Sequence, residues 1–120
     1  MAKTLAWVFG IVFLLIGVLG FYSGGNMLLG IFMISKRHNA VHLGSGALAL
    51  LAAVGGENAA RLYFKVFGIV YLLVAIAGFA AHRVPVLGIP LNTADDVLHL
   101  VIAAVSLYAG FAGSKEPATA

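Results

Sequence analysis

The 120-residue chain is 62% hydrophobic and only 9% charged, whereas a water-soluble domain of this size carries about a quarter Asp, Glu, Lys and Arg. With a mean hydropathy of +1.08, its solvent is read as lipid. The net charge of +3 comes from residues beside apolar runs, which points to membrane topology and away from a nucleic-acid partner; the absence of cysteine excludes disulfides, thiolate metal sites and thiol catalysis.

A helix that crosses a bilayer needs roughly 20 mostly apolar residues. The first such run covers residues 5–22 and follows Lys3. It exceeds the apolar region of a signal peptide, about 7–15 residues, and no A-x-A-like cleavage site follows it. The connection that comes next, residues 23–37, is apolar but short and broken by glycine. It reads as an interfacial or shallow re-entrant segment, because irregular backbone cannot face lipid unsatisfied.

The second span, residues 40–56, opens on RHNAVHL. It is the shortest of the set and needs its neighbours or a thin bilayer. His38 and His42 stand four residues apart and share a helix face. A third span covers 62–81, and a second connection, VPVLGIPLN within residues 82–93, carries two prolines. The fourth span covers 97–113, and a short polar tail, 114–120, ends the chain.

The third span repeats the first. VFGIVFLLIGVLGF begins at Val8 and VFGIVYLLVAIAGF at Val66, and LGI at Leu29 returns at Leu87. HNAVHL, residues 38–43, then aligns with DDVLHL, residues 95–100, so that His42 matches His99 and His38 matches Asp95. The expected fold is all-α: one integral membrane domain over residues 1–120, a four-helix bundle made of two parallel helix-pair repeats, about 5–56 and 62–113. Two spans per copy give both copies the same orientation, related by an axis along the membrane normal. The starts of the second and fourth spans then share one side of the bilayer, and His38, His42, Asp95 and His99 converge.

Below each histidine runs a stripe of small residues, Gly46, Ala49 and Ala53 in one copy and Ala103, Ser106 and Gly110 in the other. Such stripes let membrane helices approach closely, so the histidine faces are expected to point inward. Trp7, Tyr22, Tyr63 and Tyr108 fall near span ends, as an aromatic belt requires. Lys3, Arg61, Lys65 and Lys115 on one side, against Lys36, Arg37 and Arg83 on the other, favour cytoplasmic termini in a multi-pass cell-membrane protein. The lipid bilayer is the expected partner, with self-association or another membrane protein allowed by the glycine faces.

The polar cluster admits several chemistries. Three imidazoles and a carboxylate, His38, His42, His99 and Asp95, suit a divalent ion such as zinc. His42 and His99 could also ligate one haem iron from opposite faces, though helices in tight contact would exclude a porphyrin. A structural reading stands beside both. Ser35 and Asn92 are good N-cap residues, Thr93 with Asp96 matches a capping box, and Asn39 joins these as a helix-end polar group. A small transporter is a further alternative, but no span carries an acid near its midplane; Asp95, Asp96, Glu57 and the interfacial His82 all lie at span ends. Serine-hydrolase, phosphate-loop and dinucleotide motifs are absent, and the expectation is a non-enzymatic membrane protein acting through interaction or in a stress response.

The chain resembles an uncharacterised family of small bacterial four-span membrane proteins, domain of unknown function 4383, from Val8 to Gly113. The family motifs look like N-x-x-H-N-x-x-H-L and N-x-x-D-N-x-x-H-L. They are met here at His38, Asn39, His42 and Leu43 and at Asn92, Asp95, His99 and Leu100, with Ser35 and Asp96 standing where the family usually has asparagine. The resemblance implies a four-helix membrane fold and brings no activity, substrate or cofactor with it.

Overall fold

The computed structural model describes residues 1–23, 27–81, 85–86 and 88–112. His82, Arg83, Leu87, Lys115 and the tail 114–120 lie outside the described residues. Four helices dominate: α1 (Ala2–Ser23), α2 (Lys36–Gly55), α3 (Glu57–Ala80) and α4 (Thr93–Leu107). The last continues into one π-helical turn, Tyr108–Ala112.

The distribution of side chains is inverted relative to a soluble bundle. Large aliphatics face outward: Ile11 and Leu15 of α1, Leu51 and Val54 of α2, Leu62 and Leu73 of α3, and Leu100 and Val101 of α4 are all exposed. Buried positions are held mostly by small or polar residues, such as Ala6, Gly10 and Gly17 of α1 and Gly46, Ala49 and Ala53 of α2, with Phe13, Phe64, Phe67 and Tyr71 as the large exceptions. In water this arrangement would expose most of the apolar surface and gain little from burial. In lipid it is favourable, since the outer face meets hydrocarbon and close backbone contact holds the interior.

Among the described residues, three helices are long and apolar enough to cross a membrane: α1 with 22 residues, α3 with 24, and Thr93–Phe111 with 19. α2 has 20 residues, but Lys36, Arg37, His38, Asn39 and His42 make its first two turns polar. The helices also start earlier than the apolar runs do. Gly56, at φ 105°, joins α2 directly to α3; its left-handed backbone ends the first helix without a Cβ penalty. Glu57 then opens α3, where a negative charge meets the helix dipole favourably.

Each helix pair is sealed by a close crossing. A methyl group on Gly10 would collide with Leu50, and one on Gly46 with the backbone of Gly10. In the other pair, Gly68 stands against Leu107 and Gly110 against Lys65. α1 packs mainly on α2, and α3 mainly on α4, with the pairs meeting along α2–α3 and α1–α3. At the Gly56 end, Ala2, Ala6, Ala53, Ala60, Phe64 and Ala109 form a tight core. Above it, Phe13, Phe67, Tyr71 and Ala103 form an aromatic layer, with Phe67 and Tyr71 stacked at 4.3 Å between ring centroids.

The described parts of both connections carry backbone pairing. β1 (Met27–Leu28) and β2 (Phe32–Met33) form an antiparallel hairpin, Met27 opposite Met33 and Leu28 opposite Phe32. Leu29 and Gly30 turn it at φ 57° and 68°, the doubly left-handed geometry of a tight hairpin turn. In the second connection Val86 and Ile89 exchange both backbone hydrogen bonds, at 3.0 and 2.9 Å. These pieces pack at the end of the bundle opposite Gly56 and roof the residues described next.

Candidate functional site

α2 begins at a Ser35 N-cap, whose hydroxyl accepts the His38 N–H at 3.1 Å. α4 begins at an Asn92 N-cap, and its capping box pairs Asn92 with Asp95. The Thr93–Asp96 pairing is therefore displaced by one residue: Thr93 is already the first helical residue, and Asp96 points into the helix interface. Starting both helices at this end carries His38, His42 and His99 inward over the aromatic layer. All three are buried, with exposures of 4%, 7% and 4%.

Each imidazole offers a ligand nitrogen within 4.8 Å of the other two. The His38 and His42 ring centroids lie 4.3 Å apart, and those of His38 and His99 lie 5.8 Å apart. His38 Nδ1 is 3.1 Å from the Met33 carbonyl oxygen. A neutral ring that donates from Nδ1 presents Nε2 as its lone pair. Among the described residues, His42 Nδ1 and His99 Nδ1 are buried without a hydrogen-bond partner. An ion held at about 2.0–2.1 Å by three nitrogens sets them roughly 3.3 Å apart in tetrahedral geometry. The observed spacing is one small closure away from that.

Asp95 stands outside this group, so the four-ligand set of the sequence becomes three imidazoles. Its Oδ2 accepts the N–H groups of Met33 at 3.1 Å and Asn92 at 3.0 Å. It thus ties the hairpin to α4 and serves the capping box. Haem is disfavoured by the same geometry: a porphyrin between His42 and His99 would have to displace the His38 ring.

Asn39 and Asp96, expected to serve helix ends, occupy buried helix interfaces instead, at 3% and 1% exposure. Each lies over a glycine of its partner helix, Asn39 over Gly20 and Asp96 over Gly78, where a methyl group would collide with the polar side chain. The amide and the carboxylate fit only because those glycines leave the space.

Several contributors escape sequence reasoning. Met33 supplies both its N–H and its carbonyl to the site, which side-chain chemistry cannot reveal. Phe13 packs on His42 at 5.5 Å and Tyr71 on His99 at 5.3 Å; these aromatics hold the same place in the two similar stretches that begin at Val8 and Val66, a signal available in their alignment. At the opposite end, Glu57 accepts the N–H of Ala2 at 2.6 Å and that of Lys3 at 3.2 Å and pairs with the amino group of Met1 at 3.0 Å. It caps α1 from α3, a contact between residues too distant in sequence to pair by pattern.

No curated protein and no solved structure matches the chain. A family does: the one described as Domain of unknown function (DUF4383) matches residues 3–112. The polar cluster, the crossings and the capped helices all fall within that match, and the chain belongs to this uncharacterised family.

Proposed function

We propose that the protein is a four-span cell-membrane protein that binds a divalent transition-metal ion, with zinc the natural fit, through His38, His42 and His99. The observation that carries this reading is three buried imidazoles with ligand nitrogens within 4.8 Å of one another. Two of them hold a buried nitrogen without a hydrogen-bond partner. Such atoms are rare in folded proteins and cost about 1–3 kcal/mol each. An ion drawn onto the cluster would give these rings a purpose for which their burial otherwise offers no return. Neutral imidazole suits zinc, copper and nickel, and Asp95 and Asp96, buried at the same end, supply negative charge to balance it.

The two hairpins are read as parallel copies of one unit. Supporting this, Gly10 and Gly68, Gly20 and Gly78, and Phe13 and Tyr71 hold matching sequence positions and make matching contacts. α2 is taken as the fourth span, since 20 residues reach about 30 Å as a helix, the thickness of the hydrocarbon core. The cluster end then lies outside and both termini lie in the cytoplasm. The site is read as a binding site rather than a catalytic one, with lipid covering the exposed aliphatics and no nucleic acid involved.

The test is cobalt titration of protein purified in detergent and stripped with a chelator. One equivalent of Co2+ should give an intense tetrahedral absorption band, displaced by zinc and lost in His42→Ala and His99→Ala. Absence of that band, together with no metal by elemental analysis of the purified protein, would dismiss the reading. A second reading, a purely structural polar cap, is favoured by the His38–Met33 and Asp95–Met33 hydrogen bonds. Under it the histidine variants change stability alone.

A further inference from the structure

Above the tight core, the helix pairs leave two apolar grooves that converge on the imidazoles. The larger, about 540 Å³, runs between α2 and α3 along Leu48, Leu62, Val66 and Val70 to His38 and His99. The smaller, about 280 Å³, lies between α1 and α4 and reaches all three histidines. We propose that the larger groove takes the tail of a single-chain, membrane-dissolved amphiphile whose carboxylate head completes the coordination of the ion on the three imidazoles.

The inference rests on the metal reading and deepens it. Three protein ligands leave a zinc-type ion with one open position, the arrangement of sites that bind an exogenous ligand. An anionic oxygen suits that position in charge and in donor type. One carboxylate oxygen would bind the ion, and the His99 ring, which lines the groove, stands where the head group enters.

The walls define the rest of the ligand. Leu48, Leu62, Val66 and Val70 are all exposed, so the groove opens sideways onto hydrocarbon and is entered from the bilayer. From Leu62 to Tyr71, both on its wall, the helix rises about 14 Å, close to an extended chain of ten to twelve carbons. A tail moving from lipid into an equally apolar groove gains little. The head group therefore decides whether the amphiphile binds, and the groove decides which chains reach the ion.

The experiment places the cobalt-loaded protein in phosphatidylcholine nanodiscs and adds laurate, or dodecanol as a chain of equal length without the anionic head. Laurate should shift the cobalt absorption band and dodecanol should leave it unchanged. Val66→Trp and Val70→Trp, which fill the groove from its lipid-facing wall, should retain the band and need at least tenfold more laurate for the same shift. A cobalt band indifferent to laurate overturns the inference and leaves the metal reading standing. So does a laurate response that dodecanol matches, or one that persists undiminished in both tryptophan variants. Failure to form the cobalt band at all removes both.

Discussion

His38 and Asp95 hold equivalent positions at the starts of α2 and α4, and one residue joins them. The Met33 carbonyl lies 3.1 Å from His38 Nδ1, while the Met33 N–H donates to Asp95 Oδ2 at 3.1 Å. The carboxylate thus fixes the strand that fixes the imidazole. Groups in this relation to metal-binding histidines typically change affinity by about 10–100-fold when removed. Asp95→Ala should therefore weaken cobalt binding by roughly tenfold or more without abolishing it. Titration monitored at the cobalt band checks this; an unchanged affinity would show that Met33 is held by other means.

Metal binding should also appear as stability. A ligand at a hundred times its Kd stabilises the folded state by about 2.7 kcal/mol. The zinc-loaded protein should accordingly show a higher Tm in detergent than chelator-treated protein. The increment should vanish in His99→Ala. Equal melting with and without zinc in the unmodified protein would count against the site.

Glycine-to-alanine changes separate the interior from the surface. Within a helix such a change ordinarily stabilises by about 0.5–1 kcal/mol. Gly44 faces open space, and Gly44→Ala should follow that rule. Gly20→Ala and Gly78→Ala should reverse it, because each methyl would displace the buried Asn39 or Asp96 side chain. A loss on the order of 1–3 kcal/mol is expected from overpacking. Denaturant unfolding in mixed micelles gives the three values on one scale.

Glu57 supplies the control at the far end. Glu57→Ala removes the acceptor for the Ala2 and Lys3 N–H groups and should cost about 1 kcal/mol, as loss of a helix cap does. The cobalt band should be unaffected, since the three histidines sit at the opposite end of the bundle. Unfolding and absorption measured on the same preparation distinguish the two effects.

The membrane character and the convergence of the histidines were legible in the sequence for a physical reason. Apolar runs of membrane length leave few alternative folds, and the matching of HNAVHL to DDVLHL carries the positions of two helix starts. The caps were half legible. Serine and asparagine at positions 35 and 92 announce helix starts, but Asn92, Thr93, Asp95 and Asp96 offer competing pairings that only the backbone decides. The hairpin at residues 27–33 was not legible, since two-residue strands are too short to show alternation. Nor were Gly20 and Gly78 recognisable as seats for polar side chains, because a glycine states that room exists without stating what fills it.

Gly56 makes the bundle resemble a pair of tongs, with one residue as its pivot and the imidazoles at its tips. His38 lies 18 residues before that pivot, about 27 Å along the helix, so a swing of about 3° moves the tip by roughly 1.4 Å. That travel acts on the gap between His99 and the α2 pair, since His38 and His42 share one helix and keep their own spacing. The angle between α2 and α3 is thus set at the far end of the molecule, where a single left-handed glycine joins the two helices.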